Sequence, residues 1–217
     1  YDFGAKFGAS EAEAALLLAE VAQRGFLPSL CFHPGTQCPD PEAWADYIRA
    51  AGRIVRAANV TIARLNVGGG FSADRGQGTP DHPAVFARIA AETKAAFGPC
   101  APQLLCEPGR ALAAPAVTLA LRVKALRPDG SLVLNDGTYG GLAEWRDMPA
   151  GKIRVVRLDA ELDRNPTSER VIWGPTCDSL DRLPDPVSLP RDIAEGDYLL
   201  LPGMGAYCQS ISTQFNG

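Results

Sequence analysis

Three consecutive glycines, Gly68, Gly69 and Gly70, let a backbone approach an anion closely and turn its N–H groups toward it, and Arg110 adds a planar cation suited to phosphate. The same residues also describe a flexible turn and a surface charge. Glu107 stands three residues before that arginine, directly after the apolar run Leu104-Leu105-Cys106. An ionised carboxylate at such a strand end requires a cation or a strong donor, and either Arg110 or the protonated nitrogen of a ring meets that need. His33 follows another apolar run, Leu30-Cys31-Phe32, as a structural or a catalytic histidine. Cys177 and Asp178 stand side by side behind the breakers Gly174 and Pro175, so one loop presents a thiol and a carboxylate together. A buried structural cysteine beside a solvated aspartate fits the same residues. Tyr207 ends a second glycine-rich turn, Gly203-Met204-Gly205-Ala206, with a hydroxyl to offer an anion.

The elements that position these residues change character along the chain. Ser10 with Glu13 forms a capping-box pattern, and Ala14, Leu17, Leu18 and Val21 predict the buried face of a helix stopped by Gly25. A short strand over 29–32 ends at His33-Pro34-Gly35. Asp40 and Pro41 then open a helix carrying Trp44, Tyr47, Ile48, Ala51 and Val55 at helical spacing. A strand over 62–67 runs into the glycines, a helix covers roughly 84–97, and a strand over 104–106 leads to Glu107. Apolar strands alternating with helices predict parallel β/α units covered on both faces, with function on the loops at the carboxyl ends of the strands. After about residue 114 the period becomes two, with Val117, Leu119, Leu121 and Val123 alternating with more polar residues. Further strands are expected around 132–135, 153–158, 170–173 and 198–201, and exposed connections over 165–169 and 183–190. The domains expected are 1–114, of β/α type, and 115–217, all β.

Composition narrows the function classes. The 217 residues are 46% apolar and 21% charged, which suits a packed core. A formal net charge of −4 with no basic patch argues against nucleic acid and anionic lipid as partners. No apolar run is long enough to span a bilayer, and no secretory signal pattern is present. Six scattered cysteines suit a reducing compartment, so a cytoplasmic location is expected. The two histidines, His33 and His82, have no metal-ligand spacing, so no metal is expected.

In order along the chain, Lys6-Phe7-Gly8, Phe32-His33-Pro34-Gly35-Thr36 with Cys38-Pro39-Asp40, Gly68-Gly69-Gly70-Phe71, Glu107-Pro108-Gly109-Arg110, Asn135-Asp136-Gly137-Thr138-Tyr139-Gly140, Gly174-Pro175-Thr176-Cys177-Asp178 and Gly205-Ala206-Tyr207 resemble the ornithine decarboxylase group of pyridoxal phosphate enzymes. The resemblance implies the later part of an alanine-racemase-like (β/α)8 TIM-like barrel followed by a β-sandwich domain. It implies that His33 stacks on the pyridoxal 5'-phosphate ring, that Glu107 pairs with the pyridine nitrogen, and that Gly68, Gly69, Gly70, Arg110 and Tyr207 hold the phosphate, with Thr36 and Gly109 also at the cofactor. Cys177 would return a proton after CO2 departs. Asp178 would bind the distal amine, with Tyr139 at the substrate and Asp147 the nearest candidate for a second acid, although residues 141–146 depart from the family pattern.

Asp after Cys177 suits a distal ammonium, where diaminopimelate decarboxylases tend to carry Glu, so ornithine is the expected substrate. Lysine and diaminopimelate are the alternatives within this chemistry. A non-catalytic homologue like the antizyme inhibitors is the alternative outside it, and a thiol hydrolase using Cys177 and His33 is the reading without the resemblance. The family forms homodimers that share active sites, with the residues matching Lys6 and Asp181 paired across the interface. None of Lys6, Lys94, Lys124 and Lys152 matches the Schiff-base lysine of the family, which is expected upstream of Tyr1.

Overall fold

The computed structural model describes residues 6–76, 78–146, 151 and 153–216. It divides into two units, Tyr1–Ser72 with Pro80–Ala111, and Ala73–Thr79 with Leu112–Gly217.

In the first unit the order is α1 (Glu11–Gln23), β1 (Ser29–Cys31), α2 (Pro41–Ala58), β2 (Arg64–Asn66), α3 (His82–Phe97) and β3 (Gln103–Leu105). Helix α4 (Arg110–Ala113) then leads into the second unit. Local chemistry sets the helix ends. Ser10 accepts from the Glu13 N–H at 3.3 Å while Glu13 accepts from the Ser10 N–H at 2.9 Å, a cap that contributes about 1 kcal/mol. Asp40 caps α2 by accepting from the Glu42 N–H at 2.9 Å, with Pro41 in the first turn, and Asp81 caps α3 in the same manner. Asn59 stops α2 in the left-handed conformation at φ 53°. Gly52 lets α2 and α3 close together, since a Cβ there already touches the Ala96 side chain at 3.3 Å.

The three strands are parallel in the order β1-β2-β3, pairing Cys31 with Asn66 and Asn66 with Leu105. Trp44, Ile48, Leu65, Val67, Phe71, Val85 and Ile89 form the core, with Leu30 packed against it. Two expectations change here. The strands are covered on one face only: Leu30 and Leu65 face the helices, whereas Cys31 and Leu105 are exposed, because helices border a single side of this sheet. Leu17 is exposed as well, because the buried side of α1 runs through Ala15 and Leu18, three residues apart.

The second unit holds β4 (Thr118–Leu126), β5 (Leu132–Leu134), β6 (Arg154–Val156), β7 (Thr167–Arg170), β8 (Ile172–Trp173), β9 (Val187–Pro190) and β10 (Tyr198–Pro202). Strands β6-β10-β4-β5-β8 form one sheet, antiparallel except for the parallel β5–β8 pair. Leu121, Val123, Leu132, Leu134, Ile172, Leu189, Leu199 and Leu201 fill its core, each fully buried leucine contributing about 2 kcal/mol. The segments expected as exposed connections over 165–169 and 183–190 instead supply β7 and β9, an antiparallel pair running from Thr167↔Pro190 to Arg170↔Val187, and Leu183 and Leu189 are buried. The pairing spans about twenty residues of chain, so neither strand carries the signal alone. Residues 73–79, expected with the β/α units, belong to the second unit. There the buried Arg75 guanidinium meets the buried Glu144 carboxylate at 3.3 Å, and the Gly151 N–H donates to the Arg75 carbonyl at 2.5 Å. Among the described residues no helix is long and apolar enough to cross a membrane.

Candidate functional site

In the first unit three strand ends meet through their backbones. The Phe32 N–H donates to the Asn66 carbonyl at 3.1 Å, and the Glu107 N–H donates to the Gly68 carbonyl at 2.8 Å. Gly68 turns at φ 71° with its α-carbon against the Phe32 carbonyl, and Gly70, at φ 82°, lies against the Gly35 carbonyl. A Cβ at Gly69 would fall 2.9 Å from both the Glu107 carbonyl oxygen and the His33 Nε2. Real Cβ atoms do not come that close, so the glycine run is a packing requirement of the loop convergence as well as a source of N–H groups. The run is thus a tightly packed turn and not a loose one.

His33 lies beside this loop. Its Nδ1 accepts from the Gly35 N–H at 3.1 Å, which places the ring proton of the neutral imidazole on Nε2, the nitrogen nearest Gly69. Thr36 is half-buried one residue beyond Gly35, and Gly109 is exposed. Glu107 is exposed, and its Oε1 accepts from the Asn66 Nδ2 at 2.5 Å. The Asn66 Oδ1 accepts in turn from the Gly68 N–H at 2.9 Å. Asn66 was missed in the sequence, although its place at a strand end two residues before the glycines marked it. The Cys31 thiol on the same sheet face is pushed above the usual thiol range, first by burial and then by the Glu107 charge. Arg110 is buried at the start of α4.

The second unit holds the other candidates. Asp181 is 1% exposed, and its carboxylate accepts four hydrogen bonds: from the Thr138 N–H at 2.8 Å and hydroxyl at 3.1 Å, and from the Thr176 N–H at 3.1 Å and hydroxyl at 2.8 Å. It fits only because Gly137 and Gly174 lack side chains, since any Cβ at either position would overlap the carboxylate. Asp136 braces the same turn, accepting from the Gly137 N–H at 2.7 Å and the Gly141 N–H at 2.8 Å. These two carboxylates account for the Asp136-Gly137-Thr138 and Gly174-Pro175-Thr176 patterns. Within this chain the donors to Asp181 are Thr138 and Thr176.

The lock brings Tyr139 onto the 177–178 loop, and the Tyr139 hydroxyl donates to Asp178 Oδ2. The Leu180 N–H donates to Asp178 Oδ1 at 2.9 Å, and this bond, then the one from Tyr139, holds the Asp178 carboxyl below the usual carboxylate range. The same carboxylate pushes the Tyr139 phenol above the usual range. The Tyr139 ring lies on Phe215, centroids 4.8 Å apart. Cys177 is exposed, one residue from this pair. Tyr207 is half-exposed in a left-handed conformation at φ 57°, behind Gly205, whose α-carbon lies against the Ala113 carbonyl. Lys6 is exposed, and Asp147 lies outside the described residues. Among the described residues no three His, Cys, Asp or Glu side chains gather as a metal-binding group.

Comparison with known proteins places this arrangement in context. A family described as "Pyridoxal-dependent decarboxylase, C-terminal sheet domain" matches residues 7–205. Decarboxylase flvG of Aspergillus flavus is 34% identical over all of this chain and 54% of its own length. Ornithine decarboxylase 2 of Drosophila melanogaster is 33% identical over 99% of this chain and 56% of its own. Among solved structures, the arginine decarboxylase of Paramecium bursaria Chlorella virus superposes with a TM-score of 0.83 at 29% identity, covering all of this chain and 59% of that one. The lysine/ornithine decarboxylase of Vibrio vulnificus, complexed with cadaverine, gives 0.81 at 27% identity, covering 99% and 59%. The chain spans about half the length of the curated relatives it matches. With the match running through nearly every residue of both units, the chain belongs to the pyridoxal-dependent decarboxylase family.

Proposed function

We propose that the protein decarboxylates a basic amino acid with the help of pyridoxal 5'-phosphate, and that L-ornithine, yielding putrescine and CO2, is its substrate. The observation that carries the reading is the Glu107 carboxylate, held by Asn66 beside a glycine run that no side chain can enter. That donor set suits a phosphorylated pyridine: a fixed anion for a protonated ring nitrogen, an imidazole beside the loop, and narrow backbone N–H groups with Arg110 near in sequence for a phosphate.

When bound, the cofactor supplies an electron sink for the pair released as CO2 leaves. Glu107 would pair with the ring nitrogen and favour its protonated form, and His33 would stack on the ring. Gly68, Gly69, Gly70, Arg110 and Tyr207 would hold the phosphate, with Thr36 and Gly109 also at the cofactor. Asp178, ionised at neutral pH and oriented by Leu180 and Tyr139, meets the distal ammonium, with Asp147 as a second acid. The exposed Cys177 thiol would supply the proton that replaces CO2 on the substrate. Relatives named as ornithine decarboxylases support the substrate, while neighbours named for arginine and lysine keep the side-chain length open to test. The reading carries with it a homodimer pairing Lys6 and Asp181 regions and a cytoplasmic location, checked by sedimentation and by imaging of a tagged protein.

The test is CO2 release by the protein as its source makes it, supplied with pyridoxal 5'-phosphate and, in turn, L-ornithine, L-lysine, L-arginine and meso-diaminopimelate. Fastest release from ornithine is expected. Faster release from another of the four moves the substrate while keeping the reaction, and release from none overturns the proposal.

A further inference from the structure

The side chain that decides how Glu107 points is Asn66. As the last residue of the central strand, Asn66 pairs with Cys31 on one side and Leu105 on the other. Side chains alternate along β3 and its extension, so Leu105 and Glu107 share the sheet face that Asn66 occupies. The two amide ends of Asn66 are not interchangeable. Only its oxygen can accept from the Gly68 N–H, at 2.9 Å, so its NH2 group must face Glu107, where it donates to Oε1 at 2.5 Å. The backbone repeats the connection, the Glu107 N–H donating to the Gly68 carbonyl at 2.8 Å. Glu107 is exposed, and an exposed glutamate samples many rotamers unless something fixes it. Asn66 takes one carboxylate oxygen and leaves Oε2 to a second donor.

We propose that Asn66 is a positioning residue that presets the Glu107 carboxylate for the ring nitrogen of a phosphorylated pyridine. The inference rests on the cofactor reading above and adds a residue that acts through Glu107. The Cys31 thiol on this face donates to the Phe32 carbonyl at 3.9 Å.

The experiment measures binding and needs no turnover. Pyridoxine 5'-phosphate, which lacks the aldehyde, and its analogue with the ring nitrogen replaced by carbon are titrated calorimetrically into wild type, Asn66→Leu, Glu107→Ala and the double variant. Losing the Gly68 bond affects both ligands alike, so the readout is the preference for the nitrogen-bearing ligand. That preference is expected to fall about tenfold in Asn66→Leu, the scale of one ordered charge-assisted hydrogen bond, and to change less than about twofold when Asn66→Leu is added to Glu107→Ala. Asn66→Ala replaces the leucine variant if the latter lacks a cooperative melt. A preference unchanged in the single variant, or an equal loss on both backgrounds, overturns this inference alone. Wild-type protein that binds neither ligand overturns the cofactor reading and this inference with it.

Discussion

Replacing Asp181 by Asn keeps the shape of the lock and changes only its hydrogen-bond logic. The carboxylate accepts two hydrogen bonds at each oxygen, with the Thr138 pair on Oδ1 and the Thr176 pair on Oδ2. An amide has one oxygen and one NH2, so whichever way it turns, one threonine faces a donor. The hydroxyl there can rotate to accept, but the backbone N–H cannot, and a buried unpaired N–H costs about 1–3 kcal/mol. The surviving bonds also lose their charge assistance, roughly halving each. Together these give about 3 kcal/mol, or a fall in melting temperature of about 6–12 °C for a chain of this size. Asp181→Ala, which strands all four donors, is expected to cost more. Urea unfolding followed by tryptophan fluorescence measures the loss, and faster amide exchange at Thr138 and Thr176 localises it. An Asp181→Asn protein within about 0.5 kcal/mol of wild type would refute the argument, since it would show that the carboxylate does not hold the two loops together.

Other consequences follow from the same geometry. Gly69→Ala is expected to weaken binding of pyridoxine 5'-phosphate at least about tenfold, because its Cβ lies 2.9 Å from both the Glu107 carbonyl and His33 Nε2; unchanged calorimetric affinity would count against the packing account. The Tyr139–Asp178 bond has a defined pH window. The depressed Asp178 contributes stability present above the usual carboxylate value of about 4 and lost as pH falls through its lower folded value. The raised Tyr139 contributes stability present below about 10 and lost as pH rises through its higher folded value. In a spectrophotometric tyrosine titration, Tyr139→Phe should therefore remove a late-titrating phenol, and Asp178→Asn should move that phenol earlier. Cys31, exposed but with its thiol pushed up by partial desolvation and then by Glu107, should alkylate more slowly at pH 8 than an unperturbed thiol, and Glu107→Gln should speed it about twofold; the gain is modest because Glu107 is the smaller cause. Mass spectrometry after timed labelling reads the rate residue by residue.

What the sequence discloses here depends on the distance over which its cause acts. Helix caps are decided within four residues, so Ser10 with Glu13 and Asp40 with Pro41 were legible as caps and appear as such. The loops at the ends of β1, β2 and β3 were legible because glycine and proline break the pattern there. Strands β7 and β9 were not, because Thr167-Ser168-Glu169-Arg170 is polar and the ladder that makes it a strand is supplied some twenty residues later. Asn66 was not legible, and Asp181 was named only through the resemblance and for an interface. An asparagine ending a strand and an aspartate in a turn are common, and only when the Gly68 N–H fixes one amide and four donors converge on one carboxylate do these side chains acquire a task. The residues that present chemistry stand out by type, whereas those that aim it are recognised only by their partners. Asn66 beside Glu107, and Asp181 beneath Tyr139 and Asp178, therefore have the same relation to the site: each is a polar side chain spent on holding another polar group in one orientation. The two supports differ in exposure, and so should their failures. Loss of Asn66 frees an exposed carboxylate and leaves one N–H, that of Gly68, without its acceptor, so it should show in ligand preference with a smaller stability loss than that of Asp181. Loss of Asp181 strands buried donors and should show first in stability.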